Sequence, residues 1–361
     1  MIVIPDDRPE KVLDALDDSA PVAVVSAARP ELAAVPGKPP PGTWLVAFTS
    51  GSTSRPRGVC RTRESWHTSV AALAELTGTG VGTRVLVPGP LASTLFLHAA
   101  WHARQVGARP VLASLDTTQT WDVAHLVPHQ LDRLLDQPRD LSGRTAVVAG
   151  GALRATSAQR AAERGLRVVA YYGASELSFV AIGRAPGELS AFPGVEVEAR
   201  DGVLWARSPY LSLGYLTVDP DPHLGPLQRD ADGWCTVGDH GSVRADGAVR
   251  VDGRGAAAVQ TGGATVPVAD VEAALREAPG VSDVVVIGVP HATLGQVVGA
   301  VVGGEGVTVP ALRTFAANRL EPAARPRRWV VVTSLARTPA GKVDRACAIG
   351  LLDRAASDTL D

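Results

Sequence analysis

Between residues 44 and 173 the chain alternates short apolar runs with longer stretches of three- and four-residue apolar spacing, and this alternation narrows its fold more than any other feature. The runs over 44–48, 84–87, 110–113, 145–149 and 167–171 read as buried strands; 64–76, 94–106, 129–135 and 157–164 read as amphipathic helices. Strands separated by helices pair in parallel, with the helices covering the sheet faces. Ligands of such sheets bind at the carboxyl ends of the strands. After residue 190 the pattern changes to hairpins: 196–199 and 203–206 flank Asp201-Gly202, and 241–244 and 249–251 flank Asp246-Gly247. A β-rich subdomain over about 190–252 therefore closes a first domain of residues 1–253. A Gly- and Ala-rich stretch over 253–263 leads into a helix over 268–276, strands over 283–288 and 297–302, a helix over 309–320 and a strand over 329–333. Pro310 falls in the first turn of the later helix, where its missing N–H does no harm. Residues 354–361 are expected to fray. The expected fold is α/β: a large N-terminal domain with parallel sheets flanked by helices plus a β-rich subdomain, and a small α+β C-terminal domain over 254–361.

Composition removes several function classes. Thirty-five Lys+Arg balance 37 Asp+Glu for a net charge of -2, so the chain has no basic field for nucleic acid. Cys60, Cys235 and Cys347 lie outside CxxC spacing, which argues against a disulfide framework and a cysteine zinc site. No apolar run is long enough to span a membrane, and the first residues lack the pattern of a signal peptide, so the expected location is the cytoplasm. His98/His102 and His125/His129 have a spacing that places both imidazoles of a pair on one helix face. Neither pair contains the Glu of HExxH, and Pro128 interrupts the second, so a zinc hydrolase is disfavoured. Ser175 lacks the final glycine of a GxSxG nucleophile elbow.

The segment most informative about chemistry is Thr49-Ser-Gly-Ser-Thr-Ser-Arg-Pro-Arg-Gly-Val59, between a strand and a helix. Five hydroxyls, two glycines and two arginines in eleven residues can surround a polyphosphate with donors and positive charge. It is no Walker A loop, because GxxxxGK[ST] does not align to it.

With this loop the sequence resembles the adenylate-forming superfamily of acyl-CoA synthetases, adenylation domains and luciferases, whose phosphate loop reads roughly TSGSTGxPKGV. Four later segments, in order, are similar to that family's motifs: Tyr171-Tyr-Gly-Ala-Ser-Glu-Leu177 to YGxTE, Gly233-Trp-Cys-Thr-Val-Gly-Asp239 to GWxxTGD, Gly253-Arg254 with Gly262-Gly263 and Val266–Glu272 to GRxDDxIKxxGxxVxPxEVE, and Thr338–Arg345 to PxTxxGKVDR. The short form resembles the compact o-succinylbenzoate–CoA ligases of actinobacteria. The resemblance implies an ATP-dependent carboxylic acid–CoA ligase that forms an acyl-adenylate with release of pyrophosphate and then a thioester. ATP, Mg²⁺ and CoA are the implied cofactors and co-substrates. An adenylating enzyme that loads a carrier protein or another nucleophile is the alternative, and a nucleotide-binding homologue without ligase activity is a third.

The residue chemistry fits these roles. Glu176 can hold Mg²⁺, which takes oxygen ligands and shares them with substrate phosphates; the resemblance adds Thr53 as its second ligand. Tyr172 offers an aromatic face for a purine, with Gly173 and Ser175 beside it, and the small turn Gly150-Gly151-Ala152 lets a flat base approach the backbone. Asp239 can accept ribose hydroxyls, and Arg254 can donate to ribose or phosphate. Thr49, Ser50, Gly51, Ser52, Thr53 and Arg57 supply the phosphate loop. Lys342 is the expected catalytic cation, with Glu176 and Arg254: negative charge spreads over the phosphoryl oxygens as pyrophosphate leaves, and a positioned ammonium stabilises that state above the ground state. The chain has three lysines, Lys11, Lys38 and Lys342, and uses arginine elsewhere, so a lysine kept here suggests a role that guanidinium does not fill. Ser93, Ala149, Gly150, Ala174, Ser178 and Phe179, near strand ends, are the candidates for the acyl pocket. No basic group is placed there to pair a second carboxylate, although Arg184 is a candidate to reach it.

The resemblance further implies that the C-terminal domain is mobile about a hinge near residues 254–256, and that Gly262 and Gly263 line a tunnel for CoA. Ser54 stands where the family has glycine, at a cost of about 1 kcal/mol if that backbone is left-handed. Arg57 replaces the family's lysine, and Ala256-Ala257 its acidic pair. The loop begins at Thr49, where family members carry a long preceding segment, so most of an N-terminal subdomain is expected to be absent. A homodimer is expected to protect the sheet edge thus exposed.

Overall fold

The structure, a computed structural model, describes residues 1–18, 20–27, 38–48, 57–185, 187–216, 227–253, 258–261, 264–291, 294–338 and 341–357. Among these residues the strands assemble into three sheets. The first runs in the order Ile2–Pro5, Val22–Val25, Leu45–Phe48, Gly58–Arg61, Gly214–Tyr215; its first three strands are parallel and the others antiparallel. The central sheet begins as the sequence alternation requires, with Arg109–Val111, Arg84–Leu86, Val123–Leu126, Thr145–Val148 and Arg167–Ala174 all parallel. Ser178–Ala185 then turns back antiparallel on Arg167–Ala174.

The hairpins after residue 190 extend this same 13-stranded sheet. The edge of Ser178–Ala185 is free to pair, and Leu189–Ala191 and then Ala248–Gly253 take it. Both expected hairpins form. Asp201 and Gly202 each adopt positive φ, 50° and 75°, between the antiparallel strands Glu196–Arg200 and Val203–Arg207.

Helices cover the sheets where expected, at Thr94–Gln105, Pro128–Asp136 and Ala155–Glu163. The helix expected over 64–76 divides into Glu64–His67 and Val70–Thr77. The Thr68 hydroxyl donates to the Glu64 carbonyl and the Ser69 hydroxyl to that of Trp66, so side chains compete for the backbone where the helix breaks. One core spans the first and central sheets, joining Leu45, Trp44, Trp66, Trp101, Val85 and Val147. Together these sheets form the large unit.

A third sheet of five strands carries the rest of the chain: Ala264–Pro267, Ala258–Thr261, Gly295–Gly304 and Val281–His291 in order, with Arg328–Val332 parallel to Gly295–Gly304. The helices Val268–Arg276 and Val309–Arg319 pack on one face around Val271, Leu275, Val286 and Leu312, and Arg345–Ser357 packs on the other around Val285, Val301 and Leu352. Residues 354–357 thus continue a helix, against the expectation that they fray; Leu352 anchors its last turns in the core. No helix among the described residues is long and apolar enough to cross a membrane.

Candidate active site

The parallel strands of the central sheet end at a shared rim. Thr145–Val148 gives way to Ala149, and Gly150 follows with φ 85°, which a side chain would strain. A Cβ built on Gly150 would lie 3.3 Å from Lys342 Cε, 3.3 Å from Val127 Cγ1 and 3.7 Å from Leu95 Cδ1. Lys342 belongs to the loop after the strand Arg328–Val332, so the ammonium arm of the C-terminal sheet unit reaches the carboxyl ends of the large unit's strands. These two segments are 192 positions apart in the sequence, Gly150 to Lys342.

The strand Arg167–Ala174 leads from the same rim to Glu176. Gly173 is required here, because a Cβ would stand 2.0 Å from the Ser178 carbonyl oxygen across the tight turn into Ser178–Ala185. Tyr172 donates its hydroxyl to Asp239 Oδ2 at 2.8 Å, which brings the YGASE and GWCTVGD segments together. The phenol is engaged with the aspartate expected to grip ribose, so its ring is fixed at that aspartate. Ser175 Oγ meets Thr94 Oγ1 at 2.8 Å, at the start of the helix that follows Ser93. Leu95 in that helix lies 3.7 Å from where a Gly150 Cβ would stand, and Thr94 bonds Ser175, so the Lys342 and Glu176 regions border one rim.

Glu176 is only 4% exposed and Asp239 7%. Glu176 Oε1 accepts from the Tyr215 hydroxyl at 2.9 Å, and the Glu176 carbonyl accepts from Ser212 N at 2.8 Å. The Arg57 guanidinium lies 4.8 Å from the Tyr215 ring centroid and hydrogen-bonds its hydroxyl, connecting the end of the phosphate loop to Glu176. Burial and the neighbouring Glu176 charge push the Tyr215 hydroxyl up to about 12, so it stays a donor at neutral pH.

Arg61, which sequence reasoning missed, holds this corner together. It is 0% exposed, and it donates to the Ser175 carbonyl, to Ser178 Oγ at 2.6 Å and to the Tyr210 carbonyl. Ser178 sits at φ 58°, an uncommon conformation for a serine, within the turn that Arg61 clamps. Burial lowers the Arg61 pKa to about 9, and the Glu176 charge opposes that fall. No local signal marked Arg61, because its partners lie 114 to 149 residues away.

The other expected residues are placed as follows. Gly151 and Ala152 follow Gly150 on the rim. Among the acyl-pocket candidates, Ala149 and Phe179 are in the core, and the Ser178 hydroxyl is occupied by Arg61; Ser93 and Ala174 remain half-buried. Phe179 stacks against Phe192 at 4.9 Å and meets the edges of His98 and Tyr171. Arg184 pairs in register with Val169, at the opposite end of the strand from Ser178, so it does not serve this corner. Thr49, Ser50, Gly51, Ser52, Thr53, Ser54, Arg254, Ala256, Ala257, Gly262 and Gly263 lie outside the described residues.

The histidines of both spaced pairs are packed in or against the large unit's core. His98 and His102 stack at 5.9 Å on the helix Thr94–Gln105, and His102 bonds the Val70 carbonyl at 3.1 Å. Burial holds the His125 imidazole down at about 3 and His129 at about 4, so both are neutral at pH 7. No group of three or more His, Cys, Asp or Glu suited to a metal occurs among the described residues.

The AMP-binding enzyme family model matches residues 2–216, and the AMP-binding enzyme C-terminal domain matches residues 270–342. The chain is 32% identical over 336 residues to a probable 2-succinylbenzoate–CoA ligase of Mycobacterium tuberculosis, a span that covers 84% of this chain and 83% of that protein. Among solved structures it superposes on ATP-bound MatB from Rhodopseudomonas palustris with TM-score 0.75 at 24% identity, covering 86% of this chain and 68% of the other. It also superposes on the amide bond synthetase McbA from Marinactinospora thermotolerans with TM-score 0.74 at 27% identity, covering 97% and 79%.

Proposed function

The chain belongs to the AMP-binding enzyme family, and from that premise we propose how its residues carry out ATP-dependent acid–CoA ligation. The observation that carries the reading is Lys342 at Gly150, on the rim that also holds Glu176, Tyr172 and Asp239. A carboxylate oxygen of the acid attacks the α-phosphorus of ATP; the bond to the β-phosphate oxygen breaks, and pyrophosphate leaves with its electron pair. Lys342 stabilises the charge that grows on the phosphoryl oxygens, an interaction stronger in the transition state than before it. Asp239, oriented by the Tyr172 hydroxyl, accepts the ribose hydroxyls. In the second step the CoA sulfur attacks the acyl carbon and AMP leaves with the carboxylate oxygen that joined it.

The residues fit Mg²⁺. Glu176 presents a buried carboxylate, one oxygen of which is held by the Tyr215 hydroxyl. With Thr53 of the phosphate loop it would hold the ion, which when bound neutralises phosphate charge and shares its oxygens. The proposed division places residues 1–253 in the nucleotide-binding domain and 254–361 in the lid that brings Lys342, with a hinge at 254–256 and Gly262 and Gly263 toward CoA.

Pyrophosphate release over a panel of aliphatic, aryl and dicarboxylic acids, with and without CoA, tests the reading. Acid-dependent release is expected, with thioester appearing only when CoA is present; no release with any acid overturns it. The likeness to an amide bond synthetase over 97% of the chain favours one second reading, transfer of the acyl group to an amine. Pyrophosphate release that yields amide with an amine and no thioester with CoA would select it.

A further inference from the structure

Lys342 is carried by a loop of the C-terminal sheet unit, and a continuous line of polar contacts ties that loop to the large unit. It starts at Arg154, the residue before the helix Ala155–Glu163. Arg154 Nη2 donates to Asp132 Oδ2 at 2.7 Å, and Asp132 also accepts from Ser157 Oγ at 2.5 Å, so the guanidinium is oriented by its own unit. Its Nη1 crosses to the other unit and donates to the Val281 carbonyl at 3.1 Å. Val281 opens the strand Val281–His291, and two residues further on Asp283 accepts from Arg337 Nη2. Arg337 Nη1 in turn donates to the Gly341 carbonyl at 3.0 Å, and Thr338 N donates to the carbonyl of Lys342 at 2.8 Å. Burial pushes the Asp283 carboxyl up, while Arg337 and then Arg154 pull it down, so the Arg154 charge is felt at the pair that braces the lysine loop. On the far side of the loop the His129 ring hydrogen-bonds the Gly341 backbone, and a Cβ on Gly341 would stand 2.8 Å from His129 Cε1.

We propose that Arg154 is a positioning residue for adenylation: it acts through the Val281 carbonyl and the Asp283–Arg337 pair to hold the C-terminal unit in the pose that sets Lys342 against Gly150. The inference rests on the ligase reading and adds to it a residue outside all five motif segments. The hydrogen bonds of Arg154 run to Asp132 and to the Val281 carbonyl, so it contributes to the population of one docked pose and not to the chemistry within it. The side chains of Arg154 and Asp132 are 23% and 20% exposed, and a charged hydrogen bond at such a depth is strong enough to bias docking and weak enough to release. Loss of about 1.4 kcal/mol of docking free energy corresponds to about tenfold in population. The second half-reaction begins from an adenylate already made and has no use for an ammonium at the departing pyrophosphate, so Arg154 serves the first step alone.

The test compares wild type, Arg154→Ala and Arg154→Lys in three measurements. The first is acid-dependent ATP–pyrophosphate exchange, and the second is thioester formation from a supplied acyl-adenylate and CoA. The third is amide hydrogen exchange over residues 337–343 in the free protein. Arg154→Ala is expected to slow pyrophosphate exchange about tenfold with KM for ATP within about twofold, to leave thioester formation equal or faster, and to speed amide exchange in the lysine loop. Arg154→Lys keeps one of the two bonds and should fall between. Equal losses in both half-reactions would mean general destabilisation and overturn the proposal, as would unchanged pyrophosphate exchange. If wild type itself catalyses no pyrophosphate exchange, the ligase reading fails separately; faster amide exchange in Arg154→Ala would then still support the docking contact, and unchanged amide exchange would refute it.

Discussion

The two halves of the site are built by opposite means. Glu176 and Asp239 belong to the body of the large unit: they are buried, joined to Tyr215 and Tyr172, and the Glu176 turn is clamped by a guanidinium with no exposure. Lys342 is exposed, belongs to a loop of a separate sheet unit, and meets its target through polar contacts of Arg337 that are only partly buried. A buried charge is costly to strip of its partners, whereas partly exposed contacts of the second kind are worth about 1 kcal/mol each or less. On the proposed reading, the half that would hold the nucleotide is thereby fixed, and the half that would act on it is able to dock and leave.

The contrast breaks most directly at Arg61. Arg61→Leu leaves Glu176 buried without its positive neighbour, and urea unfolding should show a loss of about 3–5 kcal/mol. Arg61→Lys should lose less, because one ammonium cannot reach three acceptors arranged for a fork. A Leu variant as stable as wild type would remove Arg61 from the fixed half.

Acid distinguishes the halves next. His125 titrates at about 3 in the fold and at about 6.5 when unfolded, so below pH 6.5 the unfolded chain binds a proton that the native chain refuses. The stability it contributes is complete at neutral pH and is lost as pH falls from about 6.5 toward 3, about 2 kcal/mol at pH 5. His98, His102 and His129 are shifted in the same direction, and all four lie in the large unit. Denaturant midpoints at pH 7.5 and pH 5, with hydrogen exchange to locate the opening, should show the large unit weakening more than the C-terminal one. Equal loss in both would contradict this.

Two smaller effects sharpen the junction. Gly150→Ala adds a methyl group at φ 85° and 3.3 Å from Lys342 Cε; about 1 kcal/mol of backbone strain is expected, with a fall in pyrophosphate exchange larger than that strain explains. Tyr172→Phe removes one hydrogen bond to Asp239 and should weaken ATP binding by about 0.5–1.5 kcal/mol, read as KM for ATP with kcat little changed.

Much of this arrangement was legible in the sequence where local chemistry repeats. Apolar runs marked strands such as Thr145–Val148, and Asp-Gly pairs marked both hairpins. Gly58–Arg61 and Val123–Leu126 escaped notice, because an arginine or a histidine interrupts a four-residue run whose burial is settled by distant contacts. The same cause hid Arg61 and Tyr215 from the site while the ordered motifs exposed Glu176, Asp239 and Lys342. Arg154 was equally invisible: only the docking of two units gives its guanidinium the Val281 carbonyl. The extent of the central sheet was also out of reach, since hairpin signals fix local pairing and leave open which edge the hairpin joins.

The most direct test of a docked ammonium completing a fixed nucleotide site is Lys342→Ala, measured for ATP–pyrophosphate exchange and for ATP binding by calorimetry. Exchange should fall by about 10²–10³-fold, as for loss of a group that meets developing charge, while ATP affinity stays within a few fold. Exchange at the wild-type rate, or a loss of ATP binding large enough to explain the fall, would contradict it.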